Sequence, residues 1–214
     1  MNDWLLTVKF VAGHFGFITA LGLVSYVIGY RITRRINYGS FLEEVSLSTS
    51  LGLGAIAFLI FLLGLCGLLY RSAVLATIAI SVAASYQVIP ELVRKVRFKL
   101  GQHRHHGLVG VVLLVWSLPL LKMPLFPPTA FDSTMYFLAS AKIFARNHGL
   151  VLTPYLRLPA FTHLNEMLFI LSLLFYDDIA AQLVQLLMLF LATLTVIAFG
   201  RNHFSTRTGW WAAR

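Results

Sequence analysis

The sequence is short of charged residues. Of its 214 residues only 12% are charged, whereas 58% are hydrophobic, and soluble domains usually carry about 25% charged residues. A soluble domain of this length could not bury so much apolar surface, so the composition indicates an integral membrane protein. This excludes a secreted disulfide scaffold, a cytosolic α/β enzyme and a nucleic-acid-binding domain.

Cysteine and acidic residues are also scarce. Cys66 is the single cysteine and lies inside an apolar run, so an internal disulfide is excluded and redox chemistry is not expected. Eight acidic residues stand against 17 Lys and Arg, which gives a net charge of +9. The basic residues lie beside apolar segments, which indicates membrane topology and not nucleic-acid binding.

Motifs of soluble enzymes are missing as well. The sequence contains no glycine-rich phosphate loop, no Ser-His-Asp set and no Cys-x-x-Cys pair. Three histidines, His103, His105 and His106, lie close together, but neighbouring positive charge opposes a bound cation and favours a basic linker. No metal site is therefore expected from these residues.

Long apolar runs predict the membrane-spanning helices. About 20 residues, at a rise of 1.5 Å each, cross a hydrocarbon core of roughly 30 Å. The predicted spans are residues 10–30, 45–70, 72–90, 107–121 and 179–200. The expected fold class is an all-α polytopic membrane helical bundle of about five spans, with an extracytoplasmic loop that carries interfacial helices.

Positive charge follows the first, third and last spans. These basic groups contain Arg31, Arg34 and Arg35, then Arg94, Lys95, Arg97, Lys99 and Arg104, and finally Arg201 and Arg207. Cytoplasmic loops of membrane proteins carry an excess of Lys and Arg. We therefore expect a multi-pass protein of the cell membrane with basic loops 31–44 and 91–106 in the cytoplasm. The N-terminus and loop 122–163 are then expected outside.

The same pattern divides the chain into three segments. Segment 1–121 is expected to hold the N-terminal transmembrane helices, and segment 122–178 to form the extracytoplasmic loop with juxtamembrane helices. Segment 179–214 is expected to contain a transmembrane helix and a cytoplasmic end.

The loop is marked by proline and by two short helical patterns. Six of the seven prolines lie between Pro119 and Pro159, where they interrupt regular structure. Residues 133–148 read as a helix too short and too charged to span, which favours the outer membrane surface. Gly149 is a suitable stop for this helix. Residues 162–175 predict a second short helix at the interface, or dipping into it.

Two acidic residues in the loop are candidates for chemistry. Asp132 directly precedes the first loop helix, where it could act as an N-cap, worth about 1 kcal/mol, or as a catalytic base. The two roles are compatible, because a capping carboxylate keeps one oxygen free. Glu166 lies in an apolar helix, where a carboxylate is costly and is usually functional or paired. Arg157 and His163 are its available partners.

Residues 127–132, followed by Tyr136, Leu138 and Lys142, carry a recognisable pattern. This run resembles the first extracytoplasmic loop of polytopic glycosyltransferases of the GT-C class. These enzymes use polyprenyl-phosphate-linked sugars and include the protein-mannosyltransferase and aminoarabinose-transferase relatives. Phe137 stands where these relatives usually carry histidine, and Ala141 where many carry proline.

The resemblance extends over most of the chain from about Glu43 onward. Residues 158–168 and 177–183 are similar to the continuation of that loop into the next helix. Residues 44–70 resemble the extra N-terminal spans of this subfamily. Enzymes of this class have further spans, so we expect the 214 residues to be the N-terminal part of a longer protein.

The resemblance implies a site and a reaction. Asp132 is implied as the base that deprotonates the acceptor hydroxyl, which attacks the sugar opposite the phosphate. Glu166 is implied as a second acid, or as a residue that holds the loop. The implied substrate-binding residues are Tyr136, Lys142, Arg146 and Arg157. The three cations would stabilise the leaving phosphate, although basic residues at a membrane surface also meet lipid headgroups.

The implied partners are membrane lipid, a polyprenyl-phosphate sugar donor and an unidentified acceptor, with no nucleic acid. A divalent metal such as Mg²⁺ or Mn²⁺ stays open, because no loop cluster has recognisable ligand spacing. One alternative is a non-catalytic membrane subunit or lipid-binding scaffold whose loop holds a polyprenyl phosphate. Another is a transporter fragment, but transporters place functional charges near the midplane, and here the acids lie at the interface.

Overall fold

The computed structural model describes residues 3–102, 122–152, 154, 164–205 and 208–209. In this part of the chain the secondary structure is helical, without strands. The seven α-helices are α1 (Asp3–Thr33), α2 (Phe41–Leu65), α3 (Arg71–Ala84), α4 (Ile89–Gln102), α5 (Leu138–Arg146), α6 (Leu164–Phe175) and α7 (Asp178–His203). The expected all-α membrane helical bundle is confirmed.

Three helices are long and apolar enough to cross a membrane: Trp4–Thr33 within α1, all of α2, and all of α7. They correspond to the first, second and last predicted spans and indicate a multi-pass membrane protein. α2 ends at Leu65, five residues before the predicted end of its apolar run. The helix stops there because Gly67 has φ of 71°, a left-handed conformation that glycine adopts at low cost.

The third predicted span, residues 72–90, is a bent pair of helices. A 3₁₀ turn at Tyr86–Val88 joins α3 to α4, and the two parts meet at an angle of 49°. The change of direction falls at Ser85, between these two parts. Pro90 lies in the first turn of α4, where a residue without a backbone N–H is well tolerated. The fourth predicted span, residues 107–121, lies outside the described residues.

α1 and α2 cross at a stripe of small residues. Ser25 and Gly29 lie four positions apart on α1, and Ser48 and Gly52 do so on α2. A Cβ atom at Gly29 would overlap the Ser48 carbonyl oxygen, and one at Gly52 would overlap that of Ser25. Small residues allow membrane helices to approach this closely and gain van der Waals contact.

The first loop helix begins two residues earlier than predicted. Its helical backbone starts at Phe131, passes through a π-helical turn at Ser133–Phe137 and continues as α5. It ends in a Schellman-type turn: the Gly149 N–H donates to the Phe144 carbonyl oxygen at 3.2 Å. The left-handed residue of this turn is His148, with φ of 54°, and not the predicted stop Gly149.

α6 matches the second predicted loop helix within two residues at its start. Its residues from Glu166 to Ser172 are all buried, because the helix packs against α2, α5 and α7. Within the protein α6 is therefore part of the apolar core, and it positions its acidic first turn inside the bundle.

Candidate functional site

An apolar cleft of about 480 Å³ lies between the proline-rich segment 123–130 and α7. Its walls are mainly hydrophobic and include Met123, Phe126, Leu186 and Leu189, with the amides of Gln182 and Gln185 between them. The Gln182 Nε2 atom donates to the Phe126 carbonyl oxygen at 2.8 Å. This hydrogen bond fixes the segment to α7. We call this site the proline cleft.

A second, water-sized hollow of about 10 Å³ adjoins the proline cleft. Both spaces are lined by Gln182 and Gln185, and the hollow is also lined by Ser133, Phe137 and Leu138 of the loop helix. Ala130 lines the cleft and Ser133 lines the hollow. Asp132 therefore occupies the short stretch of chain between the two spaces.

Asp132 has an exposed side chain. Its backbone is already helical, with φ −64° and ψ −38°, and its carboxylate makes no capping hydrogen bond. The interpretation as an N-cap is therefore wrong, because the helix begins before Asp132 and places it in the first turn. Within the described part of the chain, no ion pair engages this carboxylate.

Glu166 has the opposite environment. Its residue is 2% exposed, in the first turn of α6. The burial agrees with the expectation that this carboxylate is functional or paired. The partners considered from the sequence, Arg157 and His163, lie outside the described residues, so the ion pair stays a prediction.

The predicted substrate-binding residues differ in their surroundings. Lys142 Nζ lies 2.5 Å from the Asp178 Oδ2 atom, and the two side chains are 41% and 34% exposed. Arg146 is exposed and makes no ion pair in the described residues. Tyr136 packs edge-to-face against Phe131, with ring centroids 6.0 Å apart. Arg157 lies outside the described residues.

Sequence reasoning missed how the aspartates at the start of α7 are used. Asp177 caps α7 through its Oδ1 atom, which accepts the Ala180 N–H at 2.9 Å. Its Oδ2 atom lies 2.9 Å from Nε2 of His14. The sequence did carry a local signal, since an aspartate before an apolar run favours a cap. The partner on α1 is 163 positions away in the chain and has no local signal.

His14 is 1% exposed and has an acceptor at each ring nitrogen. Its Nδ1 atom lies 2.8 Å from the Phe10 carbonyl oxygen, and Nε2 faces the Asp177 carboxylate. Both ring nitrogens therefore face oxygen acceptors, to which an imidazole N–H donates. Tyr176 covers the ring edge-on, 4.5 Å between centroids. His14 is therefore a packed, hydrogen-bonded histidine.

Asp132 thus lies on the chain between Ala130, which lines the proline cleft, and Ser133, which lines the hollow, but it is not itself a lining residue of either space. Lys142 forms an ion pair with Asp178. Within the described residues, no group of three or more His, Cys, Asp or Glu side chains is arranged to hold a metal ion. Comparison with protein-family models, with curated proteins and with solved structures finds no significant match to the chain. The chemical features of the proline cleft are two amides and a hydrophobic wall.

Proposed function

We propose that the chain belongs to a GT-C-type glycosyltransferase that moves a sugar from a polyprenyl-phosphate donor to an acceptor on the extracytoplasmic side of the cell membrane. The observation that carries this proposal is that the exposed Asp132 follows Ala130, which lines the proline cleft, by two residues in the chain. Apolar walls with a few polar groups are typical of sites that bind amphipathic small molecules. A lipid-linked sugar has this character.

Asp132 is the base in this reaction. An acceptor hydroxyl must reach the carboxylate within hydrogen-bond distance, and the exposure of Asp132 leaves its oxygens accessible. The hydroxyl gives its proton to Asp132 while its oxygen forms a bond to the anomeric carbon. The bond from that carbon to the phosphate oxygen breaks, and the phosphate leaves with the electron pair.

Charge develops on the leaving phosphate and needs cations nearby. Arg146 is exposed and not ion-paired within the described residues, so its guanidinium group is accessible to the leaving phosphate. Lys142 forms an ion pair with Asp178, and it would have to leave this partner in order to contact the phosphate. The burial of Glu166 favours the role of holding the loop over direct contact with the acceptor.

The test is donor turnover by the full chain in liposomes, supplied with a panel of polyprenyl-phosphate sugars and measured as released polyprenyl phosphate. Asp132→Asn should lower release at least about 100-fold, the usual contribution of a general base. Glu91→Gln is the matched control and should keep release, because it removes a carboxylate that bonds to Tyr30 near the end of α1, away from the loop. Full release by the Asp132→Asn protein would contradict the assignment. EDTA treatment tests a requirement for Mg²⁺ or Mn²⁺.

The second candidate is a non-catalytic membrane subunit or lipid-binding scaffold. It is favoured by the absence of an ion pair between Asp132 and a cation within the described residues. A scaffold would bind a polyprenyl phosphate in the proline cleft without consuming it. The test measures binding of a fluorescent polyprenyl phosphate to the full chain. Leu189→Arg would then abolish binding, because Leu189 lines the cleft, whereas Asp132→Asn would leave binding unchanged.

A further inference from the structure

The end of the bundle that carries the turn between α1 and α2 has an unusual surface. Four arginines are exposed there: Arg31, Arg34, Arg35 and Arg94. Ile32 and Ile36 alternate with them and are 56% and 55% exposed. We call these six residues the arginine surface. None of its arginines forms an ion pair within the described part of the chain.

The carboxylates at this end are held by other groups. Glu44 is 4% exposed; its Oε2 atom accepts from Lys95 Nζ at 2.5 Å, and its Oε1 atom from the Tyr26 hydroxyl at 3.2 Å. Glu91 accepts from the Tyr30 hydroxyl at 2.6 Å. The acids thus bond to tyrosines and a lysine, and the arginines keep their donors for an external anion.

Glu43 is held in the same way. Its Oε2 atom accepts the Gly39 N–H at 2.8 Å and the Asn202 side-chain amide at 2.7 Å. The bond from Asn202 joins the start of α2 to the end of α7. Glu43 is therefore also committed to internal donors.

The same contacts position α4. The bond between Tyr30 and Glu91 and the ion pair between Lys95 and Glu44 tie its first turns to the ends of α1 and α2. Tyr30 precedes Arg31, and Glu91 lies three positions before Arg94. The hydrogen bond between them therefore holds Arg94 at the same end of the bundle as Arg31. The arginine surface is therefore preformed, because contacts within the protein position it.

We propose that the arginine surface binds the headgroups of anionic phospholipids in the leaflet at this end of the bundle. Guanidinium groups donate paired hydrogen bonds to phosphate oxygens, and basic clusters beside a membrane helix attract anionic lipids. A free phosphate would use only the arginines. The exposed isoleucines between them favour a lipid, because they can enter the acyl region below the headgroup. This proposal is independent of sugar transfer.

The test measures binding of phosphatidylglycerol and phosphatidylcholine to the purified full chain in detergent by native mass spectrometry. The Arg31→Gln/Arg94→Gln variant should bind phosphatidylglycerol about 30-fold more weakly, from the usual contribution of two basic residues near a lipid surface. The matched control is Lys9→Gln/Arg71→Gln, which removes the same charge from exposed residues elsewhere. It should change the affinity less than about threefold.

A thermal unfolding curve of each variant separates loss of binding from loss of folding. The Arg31→Lys/Arg94→Lys variant should retain most of the affinity for phosphatidylglycerol, because it keeps the positive charge. Equal weakening in the control would overturn the proposal, because it would show a general effect of net charge. Complete displacement of phosphatidylglycerol by inorganic phosphate would also overturn it, since the site would then be one for free phosphate. Equal affinity for phosphatidylcholine would exclude headgroup recognition.

Discussion

At the scale of single residues, the His14 ring links α1 to the turn before α7 through Asp177. Hydrogen bonds to charged groups contribute about 1.5–3 kcal/mol, and the Asp177 side chain, 42% exposed, regains water when the ring is removed. We expect His14→Phe to lower the free energy of unfolding by about 1–2 kcal/mol. Chemical unfolding in detergent measures this change in the free energy of unfolding. His203→Phe, at an exposed histidine of α7, should stay within about 0.5 kcal/mol.

The ion pair between Lys142 and Asp178 should contribute less. Both side chains are more than a third exposed, and pairs in contact with water contribute about 0.2–1 kcal/mol. A double-mutant cycle with Lys142→Met and Asp178→Asn should therefore give a coupling energy below about 1 kcal/mol. A larger coupling would show that the pair is screened from water, which would weaken the case for Lys142 as an exchangeable phosphate ligand.

The sequence predicted the surroundings of individual side chains better than it predicted their interaction partners. The helix pattern and the cost of a carboxylate in an apolar helix were enough to single out Glu166, and the structure buries this residue. The partner of Lys142 is 36 positions away, on a different helix. Such a pairing depends on how helices pack, and a single sequence has no local pattern that encodes it. The same holds for the proline cleft, which forms between two distant segments.

At the scale of helices, the crossing of α1 and α2 depends on Gly52. A Cβ atom there would overlap the backbone of Ser25, which cannot rotate away. We expect Gly52→Ala to destabilise the protein by about 1–3 kcal/mol, as overpacking does. Gly54→Ala on the same helix is the matched control, because no atom lies within 4 Å of its added Cβ. Thermal unfolding that shows equal effects for both would contradict close packing at this crossing.

Helix identity was predictable, whereas helix ends and bends were not. The apolar run of residues 45–70 continues past the true end of α2, because composition does not register the left-handed turn at Gly67. The predicted third span stops at Pro90, while the structure starts a new helix around it. That helix is anchored to the rest of the bundle by Lys95 and Glu91. These contacts set the direction of α4, which cannot be read from the apolar content of the sequence.

At the scale of the whole molecule, α1, α2 and α7 are 31, 25 and 26 residues long. About 20 residues are needed to cross the hydrocarbon core, so each helix has residues to spare at its ends. The arginine surface and the loop that carries Asp132 belong to opposite ends of this bundle. Binding of anionic lipid at one end and sugar transfer at the other can therefore be tested separately in one protein.

This separation rests on α2 crossing the membrane, and the native Cys66 offers a direct test. Cys66 is exposed just after α2, and Ile36 is exposed just before it. The 25 residues between them in α2 cover about 37 Å at a rise of 1.5 Å per residue. An impermeant maleimide added outside intact cells should label Cys66, if the positive-inside rule sets the orientation. It should not label the Ile36→Cys/Cys66→Ser variant until the cells are opened.

The two labelling results separate topology from orientation. Labelling of both cysteines from the same side would show that α2 does not span, and the arginine surface would then share a side with the loop. Reversed labelling would keep α2 as a span but place Asp132 in the cytoplasm. Sugar transfer outside the cell would then be excluded, because the base would lie on the wrong side of the membrane. Binding of phospholipid by the arginine surface would stand, since it needs only an anionic leaflet at that end of the bundle.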